Sequence, residues 1–188
     1  MIILGIDPGT ATTGWGIISN QKSAIRAQKK KREGSQIADC KLLKLVNFGC
    51  VLTDPKSEMG DRLLILKRAL KKIIQSYKPD HIVVERLFFG ANSTSALSVG
   101  QARGVVLLVA AEAKVPTSEY TGLEVKLSVA NHGRADKKSI QTAVRRHLGI
   151  KNLPKPKDQY GHQVHRFRDD AYDAVAATIC HVLKSENR

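Results

Sequence analysis

No apolar run in this chain reads as a membrane span. The N-terminal run Met1 to Ile6 ends at Asp7, too early for a signal peptide or a transmembrane helix. A lipidation motif and a basic amphipathic N-terminal helix are also missing, which argues against a membrane surface as partner. Cysteine is scarce. Cys40, Cys50 and Cys180 are odd in number, scattered and without metal-ligand spacing, so they read as reduced thiols of a cytosolic protein. Acidic residues are few: 17 Asp and Glu stand against 31 Lys and Arg, a net charge of +14. That excess needs a polyanionic partner, and nucleic acid is the usual one, because Lys and Arg displace counterions condensed on phosphates. There is no internal repeat and no sign of a second domain. With 188 residues, 42% of them hydrophobic, the chain has enough material for one domain with a sizeable core.

What is there reads as a mixed α/β pattern. Ile2 to Ile6 is a buried strand ending in the turn Asp7-Pro8-Gly9-Thr10, Thr12 to Ile18 a second strand hairpinned to it, and Leu42 to Leu52 a third. Asp61 to Tyr77 is the clearest helix, with Leu63, Leu66, Leu70, Ile73, Ile74 and Tyr77 on one face. His81 to Val84 is a strand that runs into Glu85. Helices are predicted over Thr94 to Glu112, Thr121 to Ala130, Lys137 to Leu148 and Asp170 to Lys184, with a short strand at Val115 to Tyr120. Three strands followed by alternating helix and strand predict a mixed five-stranded sheet flanked by helices on both faces. Two segments stand apart. A basic insertion at about 19–41 carries the run Lys29-Lys30-Lys31-Arg32 and reads either as a solvated extension or as an arm on nucleic acid. The stretch at about 152–168 reads as an exposed loop in which basic and aromatic residues interleave. Its His162 and His165 have no cysteine nearby and read as loop histidines rather than zinc ligands.

The few acids are distributed suggestively. Asp7 and Glu85 each end a strand, and Asp170 and Asp173 are spaced i, i+3 on one face of a helix. Singly, each has a plain structural explanation: a turn cap, a partner for Arg86, or charge at a helix N-terminus. Yet Ala171, Ala174, Ala176 and Ala177 would let that last helix lie close to a sheet and bring its carboxylates toward strand ends. Asp169 would point about 100° away from Asp170. Four carboxylates suit two hard cations about 4 Å apart, which neutralise a phosphodiester, activate water and stabilise the leaving oxygen.

The blocks Ile3-Leu4-Gly5-Ile6-Asp7-Pro8-Gly9-Thr10, Val83-Val84-Glu85-Arg86-Leu87-Phe88-Phe89, Ser98 to Gly104 and Asp170-Ala171-Tyr172-Asp173-Ala174 resemble the RuvC Holliday junction resolvases, in order and over nearly the whole chain. The resemblance implies a ribonuclease H-like fold, a homodimer, and paired Mg²⁺-dependent nicks across a four-way DNA junction in recombination and repair. Two Mg²⁺ per active site are implied, with Mn²⁺ able to substitute. The family's catalytic and metal-binding carboxylates carry over onto Asp7, Glu85, Asp170 and Asp173. Phe88 matches an aromatic that stacks at the junction centre, and Phe89 lies beside it. A wedge there would unstack bases, whereas a lone Phe is more often core. Lys126 and Lys137, with Lys138 as the neighbouring alternative to Lys137, match basic positions near the scissile phosphate. Arg103 would contact phosphate or pair within the fold. A branch-migration motor of the RuvA and RuvB type is the implied partner. Three readings compete: a YqgF-like RNA-processing nuclease, a non-catalytic junction binder, and an actin-like ATPase. The last needs a second phosphate hairpin that this chain lacks.

Overall fold

The computed structural model describes residues 1–21, 43–86, 93–164 and 168–186. Most of the basic insertion, Phe88, Phe89 and His165 lie outside the described residues. The elements follow in the order β1 (Ile2–Asp7), β2 (Thr12–Asn20), β3 (Leu43–Leu52), α1 (Met59–Tyr77), β4 (His81–Arg86), α2 (Ser93–Glu112), β5 (Thr117–Thr121), α3 (Gly122–Ala130), α4 (Lys137–Leu148) and α5 (Arg168–Glu186).

The strands form one sheet in the order β3-β2-β1-β4-β5. The hairpin strands β1, β2 and β3 pair antiparallel, while β4 lies parallel to β1 and β5 parallel to β4. Both faces of the central strands are buried, as their nearly continuous apolar sequences predict. Alternation along the strands sorts the core into two layers. Leu4, Ile6, Trp15, Ile17, Ile82 and Val84 face α1 and α2. Ile3, Ile18 and Val83 face the other way, onto α3, α4 and α5.

Helix ends follow from local chemistry. Thr121 caps α3 in a capping box with Glu124, and Asp136 caps α4 through a 2.8 Å bond from the Ser139 amide. Gly149 ends α4 in the left-handed conformation that glycine adopts without strain. The last helix begins at Arg168, two residues ahead of the sequence expectation, so Asp170 sits inside its first turn.

The segment preceding α5 is exposed over most of its described length, as expected, but it is also anchored to the sheet. Leu153, Pro156 and Val164 are buried, and the loop docks along β3, the open edge of the sheet. The Cys50 amide donates to the Lys157 carbonyl at 3.0 Å. The Gln159 side chain accepts from the Leu52 amide at 2.8 Å and donates to the Leu52 carbonyl at 2.6 Å. Edge-strand donors and acceptors demand partners, and this loop supplies them. No hydrophobic periodicity announces such docking, which rests on main-chain bonding and one amide. Among the described residues no helix is long and apolar enough to cross a membrane.

Candidate active site

The strands position the first two carboxylates. Asp7 is the last residue of β1, and Glu85 lies near the end of its parallel neighbour β4, with Ile6 opposite Val84 in the register. Both strands therefore end at the same edge of the sheet. By alternation Asp7 shares a face with Ile3 and Gly5, and Glu85 shares it with Val83. This is the face covered by α5.

The last helix supplies the other two, and three glycines let it come close enough. A Cβ on Gly14 would stand 2.0 Å from the Asp170 carbonyl oxygen. One on Gly5 would stand 2.1 Å from the Ala174 carbonyl oxygen, and one on Gly16 would stand 2.4 Å from Val175 Cγ2. Gly14 is directly opposite Asp7 in the ladder, and Gly16 is opposite Gly5. The helix thus lies in a glycine track whose open end is at Asp7, with the small Ala171 and Ala174 completing the contact. The alanines of α5 were legible as a close-packing signal. The matching track on the sheet was not, although Gly14 and Gly16, two apart in a strand pattern, are the signal that could have found it.

The electrostatics record the convergence. Burial holds the Asp7 carboxyl well above the ordinary carboxylate range, and the charges of Glu85, Asp173 and Asp170 push it further. Glu85 is pushed up to about 7, first by burial and then by Asp173, while Lys126 opposes the rise. Asp173 is pushed up to about 6 by burial and by Asp170 and Asp169, against Lys137 and Lys126. Asp170 is raised by burial and by Asp169, with Lys137 opposing. All four side chains nevertheless keep part of their surface open to solvent.

This donor set fits hard divalent cations. It is all oxygen, it carries more negative charge than the nearby lysines relieve, and it is accessible from outside. Thr12, 8% exposed and two residues along β2 from Gly14, has a buried hydroxyl with no hydrogen-bond partner among the described residues, a polar atom available to a water or ligand at this edge. Among the described residues no three acid, His or Cys side chains form a ready-made cage around a single point. A two-ion arrangement does not require one, since Mg²⁺ takes only one or two carboxylates and fills its remaining positions with water and phosphate oxygens.

The sequence-predicted cations separate into distinct places. Lys126 on α3 and Lys137 at the start of α4 both act on the carboxylate cluster. Lys137 also bonds Asp169 at 3.1 Å, and Gln141 holds the other oxygen of that carboxylate at 2.9 Å. Asp169 is thereby turned to α4, as its position around the helix requires. Lys138 lies beside Asp136, Thr142 and Arg146 in a separate open depression, so Lys137 is the one of the two that addresses the acids. Arg103 is engaged within the fold: its guanidinium grips the Glu119 carboxylate through bonds of 2.6, 2.8 and 2.9 Å. An arginine on α2 facing an acid on β5 satisfies its fork there rather than presenting it to phosphate. His162 bonds Asp158 at 3.3 Å within its own turn. Sequence reasoning also missed Gly122, whose missing Cβ leaves room for Glu85 Oε1, 2.9 Å from where it would stand.

A family model described as "Crossover junction endodeoxyribonuclease RuvC" matches residues 34–181. That match begins after β1 and β2, but relatives cover them as well. The crossover junction endodeoxyribonuclease RuvC of Desulfitobacterium hafniense is 42% identical over 181 residues, 96% of this chain and 92% of that protein. The structure of Thermus thermophilus RuvC superposes with a TM-score of 0.75 at 27% identity, covering 100% of this chain and 96% of that one. The same fold, again with a TM-score of 0.75 and at 24% identity, is found in T. thermophilus RuvC in complex with a Holliday junction substrate. A ribonuclease H-like sheet that gathers four carboxylates at one edge, together with likeness along nearly its full length, makes this chain a member of the RuvC family of crossover junction endodeoxyribonucleases.

Proposed function

We propose that the chain, as a single nuclease domain, resolves four-way DNA junctions by paired, symmetric, metal-dependent hydrolysis of phosphodiester bonds. The observation that carries this reading is the convergence of Asp7, Glu85, Asp170 and Asp173 on one edge of the sheet, recorded in their mutual displacement of pKa. These four residues would hold two Mg²⁺, or Mn²⁺ in their place. Two such cations supply charge neutralisation at the scissile phosphate and a water activated at neutral pH.

The chain's own residues do the rest. Burial and mutual repulsion raise Glu85 and Asp173, so cations, which favour their ionised forms, would load most readily once the pH is high enough for both to lose their protons. Lys126 and Lys137 flank the acids and would orient the phosphate as point charges. Phe88, and Phe89 beside it, would wedge at the junction centre and hold the strands unstacked.

A two-fold symmetric substrate with two equivalent nicks calls for two equivalent sites, hence a homodimer. Support comes from α2, whose outward stripe runs through Leu97 (69% exposed), Gln101, Gly104 and Leu108 (50% exposed). Among the described residues nothing within 4 Å would meet a Cβ on Gly100 or Gly104, so a second helix has room to approach. The chain would act in the cytosol beside a branch-migration motor of the RuvA and RuvB type.

The deciding experiment incubates a mobile synthetic four-way junction with the protein and Mg²⁺, against linear duplex, single-stranded RNA and the Asp7→Asn protein. Paired nicks on the junction alone, lost in Asp7→Asn and in chelator, are the expected result. Tight junction binding without nicks would leave a binder, and cleavage of the RNA would leave a processing nuclease.

A further inference from the structure

On the sheet face opposite the carboxylates, α1, β3 and the docked loop enclose a cavity of about 470 Å³. Its floor is apolar: Trp15, Val51, Ile65 and Ala69 belong to the layer under α1. Asn47 donates to the Tyr77 hydroxyl at 2.5 Å and closes one wall. Tyr160, 70% exposed at the tip of the loop, stands at another. The mouth carries Arg68, Lys72 and Lys157, all exposed and none in an ion pair with a described residue. Among the described residues the one acid of the lining, Asp158, is spent on its own turn: its carboxylate accepts from the amides of Tyr160 at 2.9 Å and His162 at 2.8 Å.

We infer that this cavity is a docking site for an acidic segment of a partner protein, which inserts one aromatic or large aliphatic side chain between α1 and the loop. The argument is complementarity on two levels. The volume falls in the range of pockets that take a small-molecule ligand, roughly 300 to 1,000 Å³, and so has room for one large side chain. An apolar pit ringed by three unpaired cations selects an apolar anchor flanked by carboxylates. The chain's own stretch 22–42 is excluded as occupant by charge, since it carries seven Lys and Arg against two acids. A DNA backbone is a poor occupant, because phosphates gain nothing from an apolar floor and the nuclease edge lies on the other face. The inference does not depend on the metal mechanism.

The molecule carries its own reporter, for Trp15 is the chain's single tryptophan and it lines the cavity. The full-length protein is titrated with a short synthetic peptide in which one phenylalanine is flanked by aspartates and glutamates, and tryptophan emission is followed. A saturable change is expected. It should be absent for the same peptide with alanine at the centre and for one with lysines as flanks. In the double variant Arg68→Glu, Lys72→Glu the half-saturating concentration should rise by at least about tenfold, as for loss of close charge pairs at an interface. Junction cleavage by that variant should be unchanged. No response to the phenylalanine peptide, or an equal response to the alanine peptide, overturns the inference. So does a matching change on adding junction DNA that disappears in the double variant, which would make this face a DNA surface.

Discussion

Replacing Glu85 by glutamine should make the metal-free protein more stable while abolishing its cleavage. The Glu85 carboxyl is pushed up to about 7 from an ordinary 4.5, so the folded state holds its proton more tightly than the unfolded chain does. For an acid with a raised folded pKa, stability is full below the unfolded value and declines as pH rises through the folded value. Each unit of displacement is worth about 1.4 kcal/mol, so roughly 3 kcal/mol is the upper limit for Glu85 alone. Its burden is shared with Asp173, because neutralising either relieves both, and about 2 kcal/mol is the realistic gain. For a chain of this length that corresponds to a rise in Tm of about 4–8 °C. Glutamine copies the protonated form, so the gain should be nearly zero at pH 4, grow between pH 4.5 and 7, and level off above that. The assay is thermal unfolding of both proteins in chelator across that range. Adding Mg²⁺ at pH 8 should then stabilise the natural protein by RT ln(1 + [L]/Kd), about 2.7 kcal/mol at a hundredfold excess over Kd, and the variant much less. A Tm difference that is absent at pH 8, or equally large at pH 4, would refute the account of Glu85 as a carboxylate held against its neighbours.

Other outcomes follow from the same geometry. Gly14→Ala places a methyl against the Asp170 carbonyl oxygen and should cost about 1–3 kcal/mol in denaturant unfolding; its nicking rate should fall further than its junction affinity, because the shift displaces two of the four acids. Lys126→Ala removes the cation that lowers Glu85 and Asp173, so the acid limb of the pH–rate profile should move to higher pH; an unmoved limb contradicts the placement of Lys126. Leu108→Glu puts a charge on the outward stripe of α2 and should shift sedimentation from dimer to monomer without lowering helix content by circular dichroism. Junction binding in the Asp7→Asn protein should persist at low salt and weaken by on the order of 10³-fold between 50 and 200 mM salt; salt-independent binding would remove the phosphate-contact argument.

Much of this arrangement was legible in the sequence because it depends on local patterns. The short apolar strand runs, the amphipathic α1 and the i, i+3 pair Asp170 and Asp173 each announce their element within a few residues. Asp7 and Glu85 could be placed at strand ends, and small residues in α5 foretold a close approach to the sheet. The less legible parts depend on contacts remote in sequence. Whether Arg103 faces phosphate or Glu119 is decided by how α2 lies over β5, which no periodicity encodes. Choosing between Lys137 and Lys138 needed the rotation of α4 relative to the acids. Gly5, Gly14 and Gly16 have no side chains to form a pattern, and their role emerges only when the helix is laid over them. The loop before α5 looked exposed because it is polar, yet main-chain bonding and the Gln159 amide hold it to the sheet.

That amide has a consequence for quality control. By imitating the peptide group of a sixth strand, Gln159 closes the edge along which chains of this kind would otherwise stack into aggregates. The same stretch of chain leads directly into the helix that delivers Asp170 and Asp173. Local opening at this margin would therefore expose a sticky edge and disarm the nuclease in a single event. The two failures would coincide: a molecule opened at this margin would lose its activity as it became adhesive to its neighbours.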